Sequence, residues 1–432
     1  MNIHFIGIGG IGVSALAQYH LSNGHNVSGS DLACSEITEL LKKKGAKINI
    51  GKHKIKNLSK KTDLVIYSPA VQKNNPELKT ALKNKIKCQS YPEALGDLTK
   101  KYFTIAISGT HGKSTTTAMT SLLLIKAGID PTVILGTKLK EFNNSNFRKG
   151  KSKYLIIEAD EWKASFLNYF PKIIALTNIE EEHLDYYKDI KHILKTYQEY
   201  ISHLEKGTLV INGKDKNIKK LISKFKHLSI FDFQCSRLKD AKKLKTILKV
   251  PGEHNISNAL LTLTIARILK ISDKVSYKSL SEYKGAWRRF DEQKIKIGKS
   301  ESKIIFDYAH HPTEINATLK AVREKFPQKE IWCIFQPHQY QRTFYLFKNF
   351  IKVFKKAKIN KIIITDIYDV AGREKKTIKK KINSEKMVKE INKTSVIYLP
   401  KKNILNYLRK NIKGKEIIMI MGAGDIYKVL EN

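Results

Sequence analysis

Ile105-Ala-Ile-Ser-Gly-Thr-His-Gly-Lys-Ser-Thr-Thr-Thr117 gathers the residues best suited to handling a triphosphate. A β-branched apolar run ends in Gly109, and Thr110-His111-Gly112-Lys113-Ser114-Thr115 then opens a helical stretch. Glycines let backbone N–H groups approach phosphate oxygens, and a helix start adds unpaired N–H groups and the positive end of a dipole. A lysine at this place reaches the β- and γ-phosphates, and a hydroxyl side chain holds Mg²⁺. The spacing departs from G-x-x-x-x-G-K-[ST], because Ile107 occupies the place of the first glycine. A glycine turn with no nucleotide is the bland alternative; strand, GKS and helix in succession weigh against it.

Carboxylates and imidazoles recur at other predicted strand ends. Strand Tyr154–Ile157 leads to Glu158-Ala-Asp-Glu161, and Ile173–Thr177 to Asn178-Ile-Glu-Glu-Glu-His183-Leu-Asp185. In an open parallel sheet ligands bind outside the carboxyl ends of the strands, and acids beside a triphosphate suit Mg²⁺. The same acids could also merely cap helices. Asn255 and Asn258 stand three apart at the start of an apolar helix, on one face. They could read an adenine edge or cap that helix.

Further on, Gly285-Ala-Trp-Arg288-Arg289-Phe290-Asp291 forms a basic-aromatic knot. Strand Lys303–Phe306 then delivers Asp307, His310 and His311; Ile331–Phe335 delivers His338 and Arg342; Lys361–Thr365 delivers Asp366 and Gly372-Arg373-Glu374; Ser395–Leu399 follows; and Glu416–Met421 delivers Gly422-Ala-Gly424-Asp425. With helical stretches between them, these strands predict a parallel sheet. Only nine arginines occur in the chain, so their placement carries information.

The beginning has its own phosphate signal. Strand Asn2–Gly7 enters Gly7-Ile-Gly9-Gly10-Ile-Gly12, helix Val13–Ser22 follows, and strand Asn26–Gly29 ends near Asp31. This is a βαβ start with G-x-G-x-x-G and an acid at a ribose-binding distance. NAD is the default reading of that motif, but any diphosphate nucleotide meets the same physics. Glu36–Lys44, Lys47–Ile50 and Leu64–Tyr67 complete a small α/β unit, with Tyr91-Pro-Glu-Ala-Leu95 as a connector. Boundaries near 97 and 284 divide the chain into 1–97, 98–284 and 285–432. The fold class is α/β: an N-terminal Rossmann-like domain, a central P-loop ATPase-like parallel or mixed sheet and a C-terminal Rossmann-like domain.

Composition narrows the classes. With 432 residues the chain can bury several cores. It contains no apolar run of membrane-spanning length, and its start lacks the basic region of a secretory signal. Cys34, Cys88, Cys235 and Cys333 lie far apart without a C-x-x-C pair, which fits a reduced, cytoplasmic protein without structural zinc. The 80 basic and 40 acidic residues invite a nucleic-acid reading. The lysines, however, are spread over the whole chain, with no basic tail or recognition motif. Codon bias and a solvated surface explain them, and no nucleic-acid partner is expected. Lys375–Lys381 reads as a solvated loop.

Nine stretches in order resemble the Mur ligase family over essentially the whole chain: HFIGIGGIGVSALA with SGSD, SGTHGKSTTT, EADE with ASFL, TNIEEEHLD, GEHNISNAL, GAWRRFD, DYAHHPTE, FQPHQYQRT and GAGDI. Three places depart from the family pattern: Ser114 stands where Thr is usual, Trp162-Lys163 replace a Ser-Asp pair, and Trp287 is unusual in its element.

The resemblance implies an ATP- and Mg²⁺-dependent ligase that joins an amino acid to the carboxylate of a UDP-linked sugar, with UDP-N-acetylmuramate and L-alanine as substrates. By the same resemblance Lys113, His183, His310 and Arg342 are catalytic, and Ser114, Glu158 and His183 hold metal. Gly109 to Thr115, Asn255, Asn258, Arg289 and Asp307 bind ATP. Gly7, Gly9, Gly10, Gly12, Asp31, His53 and Ser68 bind the UDP part, and His338 with Arg342 takes the amino acid. Attachment of a preformed peptide and a nucleotide-binding module without ligase activity remain the alternatives. Gly and L-Ser stay open beside L-Ala, and the oligomeric state is left open.

Overall fold

A computed structural model describes residues 1–431 except 235–237, 299 and 371–375. Cys235 and Gly372-Arg373-Glu374 therefore lie outside the described residues. The architecture is α/β with three sheets.

The first sheet contains β1 (Asn2–Ile6), β2 (Asn26–Asp31), β3 (Lys47–Ile50), β4 (Leu64–Tyr67) and β5 (Lys87–Ser90). All pairs are parallel, in the order β3-β2-β1-β4-β5. The order reverses beside β1, so the glycine turn that follows β1 lies at the switch point where such sheets bind ligands. Tyr91–Leu95 is no connector: Tyr91–Thr99 is a helix, whose Ser90–Glu93 capping box fixes its start and whose Leu95 and Leu98 are buried.

The second sheet contains β6 (Phe103–Ser108), β7 (Thr132–Leu139), β8 (Ser145–Arg148), β9 (Tyr154–Glu158), β10 (Ile173–Leu176), β11 (Thr208–Ile211) and β12 (Ser229–Asp232), in the order β12-β11-β10-β6-β9-β7-β8. Only β7 and β8 pair antiparallel. Strand β6 is central, with Ile105, Ala106 and Ile107 wholly buried, and it leads through the phosphate loop into helix Lys113–Lys126.

The third sheet contains β13 (Asp291–Ile297), β14 (Ser300–Asp307), β15 (Ile331–Phe335), β16 (Lys361–Ile364), β17 (Val396–Tyr398) and β18 (Ile417–Met421), in the order β13-β14-β18-β15-β16-β17. It is mixed rather than wholly parallel, because β13 forms an antiparallel hairpin with β14. Alternation fills two cores. Cys333 and Phe335 of β15 join Met419 and Phe354 on one face, while Trp332 and Ile334 join Ile418 and Leu408 on the other. The expected Lys375–Lys381 loop contains helix Lys376–Lys379, where Ile378 packs with Ile367 and Ile382.

By contacts the chain forms two compact units. One is Met1–Glu180 with Ile190–Asp240 and Asn258–Leu280; the other is Glu181–Asp189 with Ala241–Ser257 and Ser281–Asn432. Within the first unit the first two sheets are joined by buried amides: Gln18 donates to Asn146 Oδ1 at 2.8 Å and accepts from Ser145 Oγ at 2.9 Å. Among the described residues no helix is long and apolar enough to cross a membrane.

Candidate active site

In the first unit the loop Gly109–Ser114 is fixed from outside by residues after β10. Asn178 accepts from the His111 N–H at 2.9 Å, Thr177 Oγ1 donates to the His111 carbonyl at 2.6 Å, and Thr110 Oγ1 accepts from Glu180 N–H at 2.8 Å. Gly112 has φ +84°, and a Cβ there would lie 2.5 Å from Asn258 Oδ1. Both features demand glycine.

Lys113 folds back: its Nζ donates to the Gly109 carbonyl at 2.7 Å and to Glu161 Oε2 at 2.8 Å. Burial alone would lower its pKa, but Glu161, Asp160 and Glu158 outweigh that and raise it, so the ammonium stays charged. Burial pushes the Glu161 carboxyl up to about 8, against the opposing pull of Lys113. Ser114 Oγ donates to Glu158 Oε1 at 3.0 Å, and Gly136 N–H donates to Glu158 Oε2 at 3.0 Å. A hydroxyl and a carboxylate at that separation form a hard-oxygen donor pair of the kind Mg²⁺ takes, so these residues fit the metal. Thr115 is buried in the helix's first turn. Beyond the acids, Lys163 and Ala164 both have positive φ, and the Lys163 ammonium lies 4.7 Å over the Trp162 ring.

At the glycine turn after β1, Gly9 N–H donates to Asp31 Oδ2 at 2.8 Å. Asp31 thus fastens the end of β2 to the turn. A Cβ on Gly12 would meet Tyr91 Cζ at 2.7 Å, and one on Gly7 would meet Ser68 Cβ at 3.1 Å. Gly10 is the N-cap of helix Ile11–Ser22. His53 joins a network that sequence reasoning missed. Its center is Glu77, which is wholly buried and accepts from Ser30 Oγ at 2.7 Å and Asn57 Nδ2 at 2.8 Å, with His4 Nε2 at 2.9 Å and His53 Nδ1 at 3.1 Å. No motif signals Glu77; it stands within an ordinary helix (Pro76–Lys83).

The second unit gathers its own cluster. Arg342 donates through Nε and Nη2 to Glu182 Oε1 at 2.9 and 2.7 Å, while Nη1 lies 3.1 Å from His338 Nδ1. Burial alone would raise the Glu182 pKa, but Arg342 outweighs it and holds the carboxyl well below the usual range. His183 follows at φ +55°. His338 stacks on Tyr368 at 5.4 Å and meets His310 edge-on at 5.9 Å. His310 Nδ1 lies 3.1 Å from Glu314 Oε2, and burial lowers its pKa, which favors the neutral imidazole. Glu182 was within a recognized stretch, but only the fold shows that it meets Arg342.

The basic-aromatic knot divides its two arginines. Arg288, 5% exposed, donates to the Gly422 and Gly424 carbonyls and holds that turn. The Arg289 guanidinium lies 4.7 Å over the Tyr308 ring. Asp307 is buried and accepts from Phe290 and Ala309 N–H at 2.9 Å each, tying the knot to β14. Asn255 Nδ2 donates to the Pro251 carbonyl at 2.7 Å, at the start of helix Glu253–Ile268.

A phosphate loop flanked by paired carboxylates, on a chain of three α/β sheets, defines a nucleotide-using enzyme class. The chain belongs to the Mur ligase family: residues 2–103 match its catalytic domain, 107–266 its middle domain and 288–424 its glutamate ligase domain. UDP-N-acetylmuramate–L-alanine ligase from Clostridium botulinum (strain Okra / Type B1) is 42% identical, with 100% of this chain and 96% of the relative covered. The enzyme of that name from Acetivibrio thermocellus is also 42% identical, with 100% and 95% covered. The crystal structure of UDP-N-acetylmuramate-alanine ligase from Thermotoga maritima superposes with a TM-score of 0.80 at 27% identity, covering 100% of this chain and 97% of that one.

Proposed function

We propose that this chain ligates L-alanine to the carboxylate of UDP-N-acetylmuramate with hydrolysis of ATP to ADP and phosphate, a step of peptidoglycan synthesis in the cytoplasm. The observation that carries this reading is 42% identity along the full chain to relatives of that activity. In this division of labor residues 1–97 bind the nucleotide sugar, 98–284 the ATP and 285–432 the amino acid.

A carboxylate is a poor acyl donor. Its oxygen therefore attacks the γ-phosphorus, ADP leaves, and the amine then displaces phosphate from the acyl phosphate through a tetrahedral intermediate. Lys113, kept charged by its acidic neighbors, offsets charge on the transferring phosphoryl group, assisted by the N–H groups of Gly109 to Thr115. Ser114 and Glu158 hold Mg²⁺, and the family resemblance adds His183 as a ligand; when bound, the metal neutralizes phosphate charge. Asn258 borders the loop at Gly112 and, by resemblance, joins Asn255, Arg289 and Asp307 in the ATP set. His310, as a neutral imidazole, can accept a proton from the attacking amine. Arg342 offers a planar fork to the amino acid carboxylate, with His338 beside it. Gly7, Gly9, Gly10 and Gly12 surround the UDP diphosphate, with Asp31, His53 and Ser68 toward the uridine.

The test is phosphate release from ATP in the presence of UDP-N-acetylmuramate and a panel of L-Ala, Gly, L-Ser and a preformed tripeptide. Release that needs both the nucleotide sugar and L-alanine is expected. Preference for the tripeptide would replace the reading with a peptide-attaching ligase, and release independent of both substrates would remove it.

A further inference from the structure

Arg342 has one fork left for a carboxylate, and Glu182 occupies it. Its Nη1 is directed to His338, both to Nδ1 at 3.1 Å and to the carbonyl at 3.0 Å. The remaining edge, Nε with Nη2, meets Glu182 Oε1 at 2.9 and 2.7 Å. The two side chains are 6% and 9% exposed. A carboxylate arriving from solution finds its binding edge already filled by a carboxylate of the same charge and reach.

Two strained residues flank this pair. His183, directly after Glu182, has φ +55°, and Gln339, which caps the short helix carrying Arg342, has φ +73°. Non-glycine residues persist in that region only where the surroundings over-determine them, and such strain accompanies switching segments. Glu182, His183, Gln339 and Arg342 also line one small cleft. The pair therefore borders a cleft rather than being sealed in a core, and an entering carboxylate must displace Glu182 rather than fill a ready-made space.

We propose that Glu182 is a built-in stand-in for the substrate carboxylate: it holds Arg342 aimed and partnered while the amino acid site is empty, and the carboxylate of the incoming amino acid displaces it. This rests on the reading of Arg342 given above. A resident carboxylate spares Arg342 an unpaired buried charge, and it reduces apparent amino acid affinity by the fraction of molecules in which the fork is free. It also selects for ligands whose carboxylate can replace it. The opposite assignment, Glu182 as a permanent hook for the ammonium, runs against the chemistry. An anion on the ammonium would raise the amine pKa and suppress the free amine that must attack.

The experiment is steady-state kinetics with saturating ATP and UDP-N-acetylmuramate and varied L-alanine, for wild type, Glu182→Gln and Glu182→Asp. Glu182→Gln keeps the shape and removes the charge; its L-alanine KM is expected to fall ~5-fold or more, with the ATP KM unmoved. Glu182→Asp, shorter but charged, should fall less. An L-alanine KM that is unchanged or raised in Glu182→Gln overturns the stand-in. Thermal unfolding guards against a misfolded variant. Glu182→Gln should gain more in midpoint from added L-alanine than wild type does, and an equal or smaller gain counts against the proposal. If Glu182→Gln does not fold, Glu182→Asp decides by the same KM criterion. Wild-type turnover that ignores L-alanine would remove the proposed function itself, whereas L-alanine-dependent wild type with an unmoved Glu182→Gln KM removes only the stand-in.

Discussion

Lys113 and Arg342 are each held by acids, and this shapes what their removal does. Lys113→Ala should reduce turnover on the order of 10³-fold or more, the scale of losing a principal phosphoryl-transfer charge. Folding should survive, because burial already raises the Glu161 carboxyl to about 8 and the abandoned acid can take up a proton. Phosphate-release rates together with circular dichroism check this, and a variant that keeps a tenth of wild-type activity would remove Lys113 from the reaction. Arg342→Ala should weaken L-alanine use by about 1.5–3 kcal/mol, the range of a charged hydrogen bond. Loss of ATP affinity with an unmoved L-alanine KM would place Arg342 on the other substrate.

Two elements make sharper demands than any single contact. The phosphate loop depends on glycine at 112, where φ is +84° and Asn258 Oδ1 fills the space a Cβ would take. Gly112→Ala should therefore cost about 1–3 kcal/mol in backbone strain and lower ATP affinity, whereas Ser114→Thr keeps the hydroxyl proposed for the metal and should leave the Mg²⁺ requirement near wild type. Nucleotide titration and activity against Mg²⁺ concentration separate the two. In the first sheet the element that matters is the Glu77 network. Burial alone would raise that carboxyl, but hydrogen bonds from His4, Ser30 and Asn57 bring it from 4.5 down to about 2. The folded pKa is depressed, so the stabilization is present above pH 4.5 and is lost as pH falls toward 2, roughly 3 kcal/mol in all. Denaturant unfolding of wild type and Glu77→Gln at several pH values should show a gap that shrinks through this window; a constant gap would mean that the ionized carboxylate is not what stabilizes the sheet.

At the scale of the whole molecule, the excess of 80 basic over 40 acidic residues should draw anionic substrates from a distance. The KM values for ATP and the nucleotide sugar should rise as salt increases from about 0.01 M to about 0.2 M, where screening shortens the reach of the field. L-Alanine is a zwitterion, and its KM should change far less. Equal salt sensitivity of all three substrates would show that the lysine-rich surface plays no part in capture.

Local chemistry was legible wherever it is local in the chain. The phosphate loop, the G-x-G-x-x-G turn and most strand ends could be read directly, because a strand–turn–helix unit is coded by a few consecutive residues. Strands Lys47–Ile50, Leu64–Tyr67 and Ile331–Phe335 fell where the apolar runs predicted. Partners distant in sequence could not be read. Glu161 on Lys113, Glu182 on Arg342 and Glu77 beneath His53 are each ordinary acids until the fold brings a cation or hydrogen-bond donor to them. Tyr91–Leu95 reads as a connector from the sequence, yet it opens the helix Tyr91–Thr99, where proline is favored in the first turn. The antiparallel β13 was missed because its alternation is weak and half of it faces solvent. Sequence alone determined the loop chemistry and the order of the α/β elements, since both depend on neighboring residues. Only the tertiary structure decided which charges neutralize one another, because that depends on which residues are buried side by side.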